Sequence, residues 1–241
     1  MSFTNCQNEA DILQSSFEEL EHNSKMDAAA ELRKNVYIVT ENLITNKTAV
    51  DEVFEAINKR VFGDEAVLIS DLLEPSISIL KSVSTATFSS EFLKALNSTN
   101  LKSATTSDYN DLLDQIKKSG IQIYWPYHEN WDGETLPTIT YFDGVNEDEN
   151  VGIKPDGSEV LVNEIYSLNN PVWIINELES FGGDASQYRA YVQNILKKNF
   201  QMKSVNNGPG YITCNNYLSQ CIEQTDGLFN GGPDIRIIRV G

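Results

Sequence analysis

The hydrophobic period of this chain changes at Gly120. Before it, apolar residues recur at helical steps: Leu32, Val36, Val39 and Leu43 form one stripe, and Val50, Val53, Phe54 and Ile57 a second. After it, Ile121, Ile123, Trp125 and Tyr127 fall on one side of the backbone, with Gln122 and Tyr124 on the other, the two-residue repeat of a strand. That change restricts the chain to an α+β architecture: an N-terminal helical region followed by a mainly antiparallel β region with one or two helices. The expected division is a short N-terminal segment over residues 1–7, a helical domain over 8–120 and a β-rich domain over 121–241.

The helical half divides at its breakers. A polar first helix is expected over residues 8–22, then a stronger one over 26–44 ended by Asn46. Thr48, with Asp51 three residues on, resembles a capping box opening the next helix, which runs to about residue 60. Residues 65–73 read as a short helix stopped by Pro75. Short helices are also expected around Ile77, Leu80 and Val83 and over residues 91–96. The last runs over 108–118, where Lys117 and Lys118 suit the negative helix end and Gly120 a left-handed cap.

In the β half, residues 136–142 are β-branched and aromatic and predict a strand. Val151–Ile153 and Val160–Val162 flank Lys154-Pro-Asp-Gly-Ser158, in which Pro155 presets φ and Gly157 takes a positive φ, so the pair predicts a hairpin. Another strand follows Pro171. The connections are too short for parallel crossovers and imply an antiparallel sheet here. Tyr188, Tyr191, Val192, Ile195 and Leu196 trace a helix, Tyr217 to Ile222 a shorter one, and residues 234–240 a final strand. An apolar strand stopping at Gly241 is the pattern expected of a chain that continues.

Charge narrows the choice of partners. The formal net charge is −17, which argues against nucleic acid and against docking on anionic lipid through a basic patch. From Glu129 to Asp184 there are 13 acidic residues against the single Lys154, a solvating face that also favours a cationic partner. Within it Asp143, Asn146, Asp148 and Asn150 offer hard oxygen ligands of the kind calcium prefers, without the spacing of an EF-hand loop. Calcium is the one cofactor the sequence brings forward.

The N-terminal run Ser2-Phe-Thr-Asn-Cys6, followed by Gln7-Asn-Glu9, resembles the cleavage region of Bacteroidetes-type surface lipoproteins, and Asn170-Pro-Val-Trp-Ile-Ile175 is similar to phrases of the same group. The resemblance implies that Cys6 is lipidated, that a lipid rather than a transmembrane helix anchors the chain, and that it sits in the cell envelope, on the outer membrane or in the periplasm. It implies no activity. Cys214 and Cys221 would then remain as a pair. Seven residues on a helix span about 10.5 Å, against the roughly 7 Å that a bridge tolerates. Free thiols are therefore favoured, and a bridge would need a bend at Asn215-Asn216.

No zinc spacing, phosphate loop or nucleophile elbow occurs. Besides a structural fragment of a larger multi-domain protein, which the abrupt terminus suggests, two function classes remain. One is a binding module for a protein or glycan at the cell surface, with Trp125, Tyr127, Trp131 and Trp173 as its contact residues. The other is a glycosidase-like hydrolase, for which Glu129, Asp132 and Glu134 are the candidate carboxylates and His128 a candidate acid or base. The binding module is the leading expectation.

Overall fold

A computed structural model describes residues 28–59, 65–75, 80–98, 106–146, 148–178 and 185–203. The expected helices over 8–22 and 217–222, the last strand and all three cysteines lie outside these residues.

The fold is α+β, with seven helices and one six-stranded mixed sheet among the described residues. The first stripe forms α1, residues 28–40, which buries Leu32, Val36 and Val39 and passes into a 3-10 turn that buries Leu43. Helix α2 (Lys47–Asn58) buries Val50, Val53 and Ile57 as the spacing predicts. Its cap lies earlier than expected: Asn46, not Thr48, accepts the Ala49 N–H at 3.3 Å. Asp51 pairs instead with Lys47 across one helical turn.

Residues 65–73 depart from the expected helix. Ala66–Leu68 is strand β1, and only Ile69–Leu73 is helical (α3). The apolar run Ala66-Val-Leu lies antiparallel to strand β2 (Ile121–Tyr124), and the Trp125 N–H donates to the Glu65 carbonyl at 2.8 Å, extending the ladder. Backbone groups at a sheet edge demand partners, and that demand outweighs a weak helical pattern.

Helix α4 (Ala86–Ser98) is longer than expected because the buried Glu52 of α2 caps it. The Glu52 carboxylate accepts the N–H groups of Thr87 at 3.1 Å and Phe88 at 2.6 Å, and the Ser84 hydroxyl at 3.1 Å. Helix α5 (Thr106–Lys118) ends near Gly120, but positive φ among the described glycines belongs to Gly133, Gly144 and Gly157. Ser119 closes the helix instead: its hydroxyl donates to Ile116 O and accepts the Ile121 N–H.

The remaining strands are β3 (Thr138–Tyr141), β4 (Glu149–Ile153), β5 (Glu159–Asn163) and, after helix α6 (Glu164–Asn169), β6 (Val172–Glu177). Their order across the sheet is β1-β2-β6-β3-β4-β5. The β4–β5 hairpin forms as predicted, with Lys154 N–H donating to Ser158 O and Gly157 at φ 82°. The sheet is mainly antiparallel, as expected, but short connections mislead at one place: β3 and β6 are parallel, with Ile139 opposite Trp173. Between them run the hairpin and α6, long enough to bring the chain back in the same direction.

One face of the sheet carries Ile121, Ile123, Ile139, Trp173 and Ile175 into a core shared with α1 to α5 and with Ala185, Tyr188 and Val192 of helix α7 (Ala185–Lys203). Tyr191, placed on the same stripe by spacing, is exposed. Val162, Val172 and Ile174 form a smaller cluster on the opposite face, beneath Tyr166 of α6. Gly152 is needed on that face, since a Cβ there would lie 2.6 Å from Val162 Cγ2 and 2.9 Å from Thr138 Cγ2. Two arginines tie helices to the frame. Arg33 donates to Phe142 O at 2.7 Å and lies 3.4 Å from Glu177, while Arg189 of α7 grips the buried Asp71 and the Ser70 hydroxyl. Burial lowers the Arg33 pKa, and the nearby carboxylates of Glu177 and Asp143 oppose that shift. Helical and β segments therefore share one hydrophobic core across Gly120.

Candidate functional site

The strand β2 side chains continue past Tyr124 into a tight turn. Trp125 still points to the helical side, Pro126 ends the ladder, and Tyr127 adopts a left-handed conformation at φ 56°. That conformation is uncommon for a bulky residue and is held here from both ends. The Tyr127 N–H donates to Glu65 Oε2 at 3.0 Å, and its hydroxyl donates to Glu164 Oε1 of α6 at 3.1 Å. His128–Asn130 is a single 3-10 turn, and Trp131 follows in extended backbone.

Residues 131–135 then form a self-braced loop. Asp132 accepts the N–H groups of Glu134 and Thr135 at 2.9 and 2.8 Å and the Thr135 hydroxyl at 2.6 Å. The Trp131 indole N–H donates to Thr135 O at 2.7 Å, closing the same loop. The Thr135 hydroxyl, and then the backbone donors, hold the Asp132 pKa down at about 2.

Between this turn and the α6–β6 connection lies a cleft of about 220 Å³. Trp125, Tyr127 and Trp131 give it an aromatic wall; Asn130, Asp132, Asn169 and Asn170 give it polar groups. Behind the wall the rings are interlocked. Trp131 is 4.7 Å from Phe54 and 5.1 Å from Trp125, centroid to centroid, Trp125 is 6.0 Å from Trp173, and the Lys47 ammonium lies 4.8 Å from the centre of the Trp131 ring. Such ring pairs add about 0.5–1.5 kcal/mol each beyond area burial, which ties the wall to the core behind it.

The four expected contact residues therefore divide. Trp173 is 0% exposed and sits in the core, where it offers no face to a ligand; Trp125 is 1% exposed and reaches the cleft only at its edge. Tyr127 and Trp131 are the accessible pair. The alternation Ile121, Ile123, Trp125 already placed Trp125 on a buried face, and β6 lies between two other strands, which closes off Trp173.

The candidate carboxylates have different surroundings, and of the three only Asp132 lines the cleft. A glycosidase needs one carboxyl held protonated, whereas Asp132 is stabilised as an anion by its own loop. Glu134 is exposed on that loop. Glu129 turns away from it toward the buried His128, with Glu129 Oε2 3.6 Å from His128 Nδ1. The proposed calcium loop is also committed elsewhere. Asp143 Oδ1 accepts the N–H groups of Val145 and Asn146, Asn146 Oδ1 accepts those of Asp148 and Glu149, and the Asn150 amide donates to Asn146 O. These bonds shape the turn that follows Asp143.

Three contributors were not legible locally. Glu65 comes from a segment 62 residues before Tyr127 in sequence, the Asn169-Asn170 side of the cleft depends on the parallel return of β6, and Lys47 reaches Trp131 from α2. Among the described residues no helix is long and apolar enough to cross a membrane. Comparison of the chain with family models, curated proteins and solved structures finds no match.

Proposed function

We propose that this protein is a non-enzymatic binding module of the cell envelope, anchored by lipid on Cys6, and that it takes a cell-surface glycan in the cleft beside Trp131. One observation carries the reading: an aromatic wall facing asparagine side chains and a carboxylate ionised at neutral pH across about 220 Å³. A sugar ring presents apolar C–H groups on one side and hydroxyls around its rim. Tyr127 and Trp131 match the first; Asn130, Asp132 and the amide oxygens of Asn169 and Asn170, whose N–H groups donate to Ile165 O and Tyr166 O, match the second. Asp132, already an anion, accepts hydroxyl hydrogens without a change of protonation. An ionised Asp132 suits the base or nucleophile of a hydrolase and not its protonated acid, and among the described residues no second carboxylate lines the cleft to supply that acid.

The test is a glycan array probed with the wild-type chain and with Trp131→Ala. The expected result is binding to a restricted set of glycans, reduced about tenfold or more by the substitution, as the loss of a stacking residue entails. An array on which wild type and Trp131→Ala give the same pattern, or on which neither binds, contradicts the proposal.

A further inference from the structure

At the 3-10 turn after β2, three side chains able to ligate a metal meet. One atom each of Glu65, His128 and Glu129 lies within 4.8 Å of the others. They come from two separate segments, the start of β1 and the 3-10 turn after β2, and the β1–β2 pairing is what brings them together. This is not a patch of surface carboxylates. His128 is 1% exposed, Glu65 is partly buried, and only Glu129, at 35%, opens to solvent.

We infer that Glu65, His128 and Glu129 form a binding site for a divalent transition cation of the zinc class. Imidazole nitrogen with two carboxylates is a recognised zinc donor set, with ligand distances of about 2.0–2.2 Å. Two ligands at those distances in a tetrahedron stand about 3.3–3.6 Å apart. The observed 3.6 Å from His128 Nδ1 to Glu129 Oε2, an ion-pair distance when the ring is protonated, also falls at the upper end of that range. The Glu65 carboxylate is oriented from behind by the Tyr127 N–H, the kind of outer contact that fixes a ligand's direction. A nitrogen donor in the set selects against calcium and magnesium, which take oxygen ligands. Three protein ligands leave a fourth position for water on the Glu129 side. A metal there would lock the turn that carries Tyr127 and Trp131, so the site supports the cleft without being part of it.

The test uses the full chain, stripped with chelator and titrated with zinc. The cysteines and the acidic surface also take up zinc, so the primary readout is the imidazole nitrogen spectrum of His128. The chain has two histidines, and His22→Gln leaves that signal alone. The expected result is a saturable shift of the His128 ring nitrogens by one equivalent of zinc, unaffected by excess calcium. The isosteric changes Glu129→Gln and Glu65→Gln should each weaken it about tenfold or more. An unshifted His128 spectrum at saturating zinc overturns the inference and leaves a histidine ion-paired between two carboxylates. A shift of equal affinity in parent, Glu129→Gln and Glu65→Gln overturns it as well. A negative glycan array leaves this inference standing, and a negative zinc titration leaves the glycan reading standing.

Discussion

Asp132 shows how far one side chain can be specified by its nearest neighbours. Its carboxylate satisfies three donors of a five-residue loop, and those donors, not any distant charge, hold its pKa at about 2 against an ordinary 3.8. Because the folded value lies below the unfolded one, the contribution of Asp132 to stability is complete above pH 3.8 and is lost as pH falls through about 2. Carboxyl ¹³C titration of the native chain should place Asp132 at about 2, and Thr135→Ala should raise that value, since the Thr135 hydroxyl is the largest cause of the shift. A titration midpoint near 3.8 in the native chain would show that the 131–135 loop is not braced as described. Asp132 stood out in sequence as a possible acid, and only the identity of its donors reverses that role.

At the scale of elements, the accuracy of a sequence reading follows the range of the forces involved. The hairpin around Lys154-Pro-Asp-Gly-Ser158 is set by φ preferences within five residues, and it forms where expected. The stripes of α1 and α2 are likewise local, and their buried residues match. Helix α4 was underestimated because its cap comes from Glu52, more than 30 residues earlier in the chain. Replacing Glu52 with Ala should destabilise the protein by about 2 kcal/mol, because two backbone donors and a hydroxyl lose a charged acceptor. Glu52→Gln should fall between the two, keeping an acceptor oxygen but losing the charge that favours a helix N-terminus. Thermal unfolding of the three proteins checks the order; an unchanged melting temperature in Glu52→Ala would remove Glu52 as the cap. Strand β1 escaped notice for a related reason, since three apolar residues have no period of their own and take their form from β2.

For the whole molecule, the change of period at Gly120 falls where helix α5 gives way to strand β2, and the core runs on across it. Val36, Val53, Phe88 and Ile116 pack in one cluster with Ile121, Ile123, Trp125 and Trp173. The sheet's helical side is thus mainly an internal surface, and tryptophans placed there stabilise the frame rather than meet a partner. The parallel return of β6 beside β3 could not be read from loop lengths, because it depends on which strand edge is still open after the hairpin has formed. That return brings Asn169 and Asn170 opposite Trp131 and creates the cleft. Two edges of the sheet remain, β1 and β5, and β5 carries the exposed Leu161 opposite the exposed Val151.

The central claim is that recognition takes place at Trp131 while Trp173 serves the core. Labelling with 5-fluorotryptophan gives one ¹⁹F resonance for each of the three tryptophans, assignable by single substitution. On titration with the glycans retained by the array, the account predicts a saturable shift of the Trp131 resonance, a smaller one for Trp125 at the cleft edge, and none for Trp173. A shift confined to Trp173, or no shift of Trp131 while a glycan is bound, would contradict it.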